Sequence, residues 1–118
     1  MMNNKKAPRI PKRDKEKLRS IKLFLYHHPE KHITIDELAE LSGLYRSKLT
    51  AMFKQLYGKS IYHFMLDIKM KKAKKLLLAN DQPIKSIASA CGYKTVQSFS
   101  RVFKKYFGLS PSQFQKSQ

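Results

Sequence analysis

Apolar side chains recur along this chain three and four residues apart, the rhythm of helices that each bury one face. From Asp14 to about His28, Leu18, Ile21, Leu25 and His28 form one stripe, and Pro29 ends it. Thr34 reads as an N-cap, with Glu37 placed to complete a capping box. The helix it opens turns Leu38, Ala39 and Leu41 inward and stops at Gly43, where a left-handed turn costs little. A helix over about 46–57 buries Leu49, Met52, Phe53 and Leu56. Ser60 caps a long helix running to about Ala79. Pro83 suits the first turn of the next helix, whose Ile84, Ile87 and Ala88 face inward up to Gly92. A helix over about 95–107 buries Phe99, Val102, Phe103 and Phe107; Gly108 ends it, and Ser110-Pro111 opens a short closing helix anchored by Phe114. The expectation is an all-α chain.

Part of this pattern occurs twice. Ile35-x-x-Leu38-Ala39-x-x-x-Gly43 returns as Ile84-x-x-Ile87-Ala88-x-x-x-Gly92. Leu49-x-x-x-Phe53-Lys54-x-x-x-Gly58-x-Ser60 returns as Phe99-x-x-x-Phe103-Lys104-x-x-x-Gly108-x-Ser110, with one extra residue just after Gly92. Each copy reads as a helix, a glycine-containing turn and a second helix, the helix-turn-helix unit. On the long helix between the copies the apolar face moves. Ile61, Phe64, Met65 and Ile68 form one stripe; Leu66, Met70, Ala73, Leu76 and Leu77 form another, turned by roughly 130° at ~100° per residue. Such a helix docks its first half on one lobe and its second half on another. Its ~28 Å length, at ~1.5 Å per residue, is comparable to the ~34 Å between successive major grooves on one face of DNA. The organisation read from the sequence is a flexible basic arm over 1–13, a first lobe over 14–59, a linker helix over 60–79 and a second lobe over 80–118.

Charge narrows the chemistry. Among 118 residues, 25 Lys and Arg against 8 Asp and Glu give a net +17, which implies a polyanionic partner, with nucleic acid leading. The single cysteine, Cys91, excludes an internal disulfide and a cysteine-based zinc site. It precedes the turn glycine, where a small half-apolar side chain fits, and reads as buried rather than nucleophilic. His27, His28, His32 and His63 lack metal-ligand spacing, so neither a metal nor a cofactor is expected. No apolar run approaches the ~20 residues that cross a bilayer, and the first residues lack a signal-peptide core, so the expected location is the cytoplasm.

Once the inner face of each second helix is buried, its outer face remains for a groove. The first shows Arg46, Ser47, Thr50, Ala51 and Lys54, and the second Val96, Gln97, Ser100, Arg101 and Lys104. Arg101 can fork onto guanine and Gln97 onto adenine, while Val96 and Ala51 can meet a thymine methyl. Arg46, Ser47 and Thr50 suit similar roles in the other groove, and Ser100 completes the second face. Lys48, Lys54, Lys94 and Lys104 suit phosphate. The competing reading is an ordinary solvent-facing surface on amphipathic helices. It also covers Lys69, Lys71, Lys72, Lys74 and Lys75 on the linker helix, read as a solvated face. Asp36, Glu37 and Glu40 would be repelled by phosphates and are expected to point away from DNA.

Ile84, Ile87, Ala88, Gly92, Tyr93, Phe99, Ser100, Arg101, Phe103, Lys104, Gly108, Ser110, Pro111 and Phe114 together match the form I-x-x-I-A-x-x-x-G-[FY], several residues, F-S-R-x-F-K-x-x-x-G-x-[ST]-P-x-x-[FY]. On these residues the chain, over about 14–118, resembles the DNA-binding domain of AraC/XylS-type transcription regulators. The resemblance implies seven helices, two helix-turn-helix lobes joined by a long helix, promoter binding, and activation through contact with RNA polymerase. It places base contacts on Ser47, Thr50, Ala51, Val96, Gln97, Ser100 and Arg101. The chain departs from the family pattern at Tyr45-Arg46, where many members carry Ser-Pro, and at Lys69 and Gln115, where arginine is frequent. Ala51 stands where some members place arginine. The sensor domain that most members carry is not recognised here, so a stand-alone activator, or the C-terminal piece of a larger regulator, is expected, monomeric as it stands. The rival expectations are a non-specific architectural DNA-coating protein and a thiol-dependent repair enzyme using Cys91.

Overall fold

The computed structural model describes residues 9–118. Most of the expected arm therefore lies outside the described residues. Its last part is not an arm: Ile10 is buried, and the first helix starts at Lys12. Among the described residues the architecture is all-α, with helices α1 (Lys12–His27), α2 (Ile35–Ser42), α3 (Arg46–Tyr57), α4 (Ile61–Ala79), α5 (Ile84–Ala90), α6 (Val96–Phe107) and α7 (Pro111–Lys116). They form two compact units, one of residues up to 25 and 33–64, the other of 26–32 and 65–118. The units divide α4 between Phe64 and Met65, where its apolar face turns, and α1 between Leu25 and Tyr26.

The first unit buries Leu18, Ile21 and Leu25 of α1, Leu38 of α2, Leu49, Met52 and Phe53 of α3, and Ile61 of α4. Phe53 meets the rings of Tyr57 and Phe64 edge-on, at centroid distances of 4.8 and 5.6 Å. Thr34 and Glu37 form the expected capping box, and Gly43 ends α2 at φ +74°. Leu41, expected to turn inward, is 67% exposed, because on the short α2 the inner stripe is held by Leu38.

The second unit packs Met70, Ala73 and Leu77 of α4 against Ile87 and Ala88 of α5, Phe99 and Phe103 of α6, and Phe114 of α7. Its aromatic rings are continuous: Phe103 has Phe107 at 4.6 Å and Phe99 and Phe114 each at 5.7 Å. Ser110 and Gln113 open α7 with a second capping box. Gln115, which departs from the family pattern, has a local job. Its amide nitrogen donates to the carbonyl of Leu77 at 3.3 Å and to Asn80 Oδ1 at 3.0 Å, tying α7 to the end of α4.

The two second helices of the repeat begin differently. Thr95 caps α6 by accepting from the Ser98 amide at 3.0 Å, whereas Tyr45, 84% exposed, makes no side-chain cap on α3. Tyr45 already has the extended backbone an N-cap uses, with φ −63° and ψ 148°. Tyr45→Ser is therefore expected to stabilise the first unit by about 1 kcal/mol, read as a higher urea midpoint at unchanged slope.

Candidate nucleic-acid interface

In the first unit, the turn at Gly43 leads into α3 with Leu49, Met52 and Phe53 facing the core. This leaves Arg46, Ser47, Ala51 and Lys54 exposed and Thr50 half-buried, along the N-terminal three-quarters of the helix. Two of these side chains already have local partners. Arg46 Nη1 lies 3.1 Å from Asp36 Oδ1 across the turn, in a pair exposed on both sides and so worth little to stability. The Thr50 hydroxyl lies 3.1 Å from both the Arg46 and Ser47 carbonyls, to which it donates, leaving its methyl group and oxygen lone pairs for outside contacts. Lys48, read as a phosphate ligand, points its ammonium to within 3.5 Å of Asp14 in the first turn of α1. Asp14 is buried, so this contact neutralises a carboxylate that would otherwise be costly to bury.

In the second unit, Phe99 and Phe103 turn inward, and α6 shows Gln97, Arg101 and Lys104 exposed, with Val96 and Ser100 half-buried. Lys94 is exposed in the preceding turn. An open cleft of about 660 Å³ lies against the start of α6; Glu30, His32, Lys85, Lys94, Thr95 and Gln97 are among its lining residues. Sequence reasoning missed Glu30, His32 and Lys85 as neighbours of this helix, since two of them come from the segment between α1 and α2.

Lys69 corrects an expectation. It is not on a solvated face but buried, donating to the Pro29 carbonyl and, at 3.0 Å, to the Cys91 carbonyl. Its nitrogen stands 5.7 Å from the centre of the Tyr93 ring. Burial pushes its pKa below the usual lysine range. Of the other linker lysines, Lys71, Lys74 and Lys75 are exposed and Lys72 is half-buried. Cys91 is fully buried, and desolvation raises its pKa to about 11, so at neutral pH it is a thiol, the unreactive form. Tyr106 donates its phenol hydrogen to Asp67 Oδ1 at 2.8 Å, which raises its pKa. Of the acidic group on α2, Glu37 serves the capping box and Asp36 holds Arg46.

A helix-turn-helix domain profile matches residues 38–117. The probable transcriptional regulator LumQ of Photobacterium leiognathi is 29% identical over 92 residues, covering 78% of this chain and 37% of that protein. The C-terminal domain of AraT, a response regulator from Geobacillus stearothermophilus, superposes with a TM-score of 0.82 at 34% identity, covering 86% of this chain and 85% of that one. The DNA-binding domain of AdpA, a global transcriptional factor solved in complex with a target DNA, shares the fold with a TM-score of 0.79 at 19% identity, covering 85% and 90%. The chain spans about a third of the length of the curated relatives it matches. It belongs to the AraC-type helix-turn-helix family and carries the DNA-binding domain of a transcriptional regulator.

Proposed function

We propose that this chain reads a specific sequence of double-stranded promoter DNA by placing α3 and α6 in successive major grooves, and that it activates transcription through RNA polymerase without catalysing a reaction itself. The observation that carries the reading is the repeated construction of the two helices. In each, aromatic and aliphatic residues face a core, and the N-terminal part is left with side chains suited to base edges. Arg46, Ser47, Thr50 and Ala51 serve one groove, and Val96, Gln97, Ser100 and Arg101 the other. Lys54, Lys94 and Lys104 supply phosphate contacts; Lys48 contributes less than these, since Asp14 already neutralises it. Arg46 leaves Asp36 when a base edge or phosphate offers better geometry, an exchange that costs little because the pair is exposed. One chain carries both readers, so a bipartite site needs only a monomer. The fold shared with the AdpA domain, solved on its target DNA, supports the same partner.

Selection from a random duplex pool tests the reading. Two half-sites about one helical turn apart are expected. Equal affinity for selected and random duplexes at matched salt would instead make the chain an architectural DNA-coating protein, as its net +17 alone would allow. Within the selected site, Arg101→Ala is expected to relax preference in one half-site only, losing about 1–3 kcal/mol of discrimination at the affected base pair. Lys104→Ala should instead weaken binding to all sequences and flatten the salt dependence by about one charge. Titration over a panel of single-base variants separates the two outcomes.

A further inference from the structure

Among the described residues Lys69 is the one buried lysine, and its position in the second unit is unusual. Its ammonium sits between two backbone segments. One is the link between α1 and α2, through the Pro29 carbonyl; the other is the turn after α5, through the Cys91 carbonyl at 3.0 Å. The turn is close-packed against these same groups. A Cβ at Gly92 would come within 2.9 Å of the Glu30 carbonyl oxygen and 2.6 Å of Lys69 Nζ. The Tyr93 ring lies beside the ammonium. From this turn the chain runs through Lys94 and Thr95 straight into α6, and Glu30 and His32 line the same cleft as Val96 and Gln97.

We infer that Lys69 is a positioning residue for DNA reading: by fastening the 29–32 segment to the Cys91–Gly92 turn, it holds the start of α6 where Gln97 and Arg101 meet base edges. The inference rests on the proposed role of α6 as a reading helix. A buried ammonium that satisfies two backbone carbonyls is costly to desolvate and of little use to the apolar core, which is already complete around Phe99 and Phe103. What it supplies is geometry. Hydrogen bonds from a charged donor are short and directional, and a reading helix tolerates little displacement. The latch also sets a wall of the cleft, since Glu30 follows directly on Pro29.

The test compares the full chain with Lys69→Met, which keeps the length and removes the donors, and with Lys69→Arg, which keeps donors for both carbonyls. Each protein is titrated with the selected site and with versions mutated in one half-site or the other, and amide exchange is followed at Phe99 and Phe103. Lys69→Met is expected to keep those amides protected and to retain preference in the α3 half-site. In the α6 half-site its discrimination is expected to fall by at least about fivefold, the effect of losing one base contact, and Lys69→Arg should restore it. Three outcomes overturn the inference: undiminished α6 discrimination in Lys69→Met, loss of protection at Phe99 and Phe103 in that variant (Lys69 would then serve the core alone), or no recovery in Lys69→Arg. If the unaltered chain itself shows no preference that Gln97→Ala abolishes, the reading role of α6 falls, and the inference falls with it.

Discussion

Phe103→Ala is expected to remove about 4 kcal/mol from the stability of the second unit, the largest effect of any single substitution considered. The ring is fully buried and lies within 6 Å of three other aromatic rings: Phe107 at 4.6 Å and Phe99 and Phe114 at 5.7 Å. Truncation loses its transfer free energy, leaves a cavity among large rigid neighbours that collapse poorly, and forfeits the aromatic pairings. Small domains are held by only about 5–15 kcal/mol in total, so the variant unit should sit close to unfolding. Urea titration followed by amide exchange across α5, α6 and α7 reads the effect. Protection that survives in all three helices at the unaltered level would show that the rings are not the cooperative centre of this unit.

Gly92→Ala is expected to cost about 3 kcal/mol, and Gly108→Ala only about 1 kcal/mol, although the two glycines share nearly the same backbone conformation. Their φ angles are +87° and +85°, so the left-handed strain on an added side chain is common to both. The difference lies in what a Cβ would meet. At Gly108 nothing stands within 4 Å, whereas at Gly92 the Glu30 carbonyl oxygen is 2.9 Å away. The Lys69 ammonium, closer still, is the end of a side chain, but it is tethered to two carbonyls and cannot simply swing aside. Parallel melts of the two variants isolate the close approach. Equal losses would mean that the 29–32 segment yields freely.

Much of this fold could be read before any coordinates, for reasons that differ between elements. Thr34 with Glu37, Gly43, Gly58 and Gly108 each mark a helix end through strictly local chemistry, and the observed ends fall at these residues. The inward faces of α3 and α6 followed from spacing alone, and with them the outward faces, since the exposed positions are what burial leaves. Where the reading went wrong, the deciding contact joined residues far apart in sequence. Lys69 looks like one more lysine in a basic stretch, and nothing local reveals that Pro29 and Cys91 present carbonyls to it, 40 and 22 residues away. The ion pairs of Lys48 with Asp14 and of Arg46 with Asp36 were just as invisible in the sequence, though they do not decide whether either residue contacts DNA. Leu41 failed for another reason: an eight-residue helix has room for only a narrow inner stripe, and an apolar side chain at its edge stays in water.

The sealed thiol at Cys91 makes this chain a convenient optical ruler. With one cysteine in the sequence, fully buried and protonated at neutral pH, maleimide dyes leave the native protein untouched, so no background cysteine has to be removed first. Lys59, exposed just beyond the end of α3, and Lys116, exposed at the end of α7, belong to neither outward face described above. The double variant Lys59→Cys with Lys116→Cys therefore takes a donor and an acceptor dye outside both reading faces. Energy transfer between the two would report the separation of the two units on a duplex, turn by turn, as the spacing between half-sites is varied.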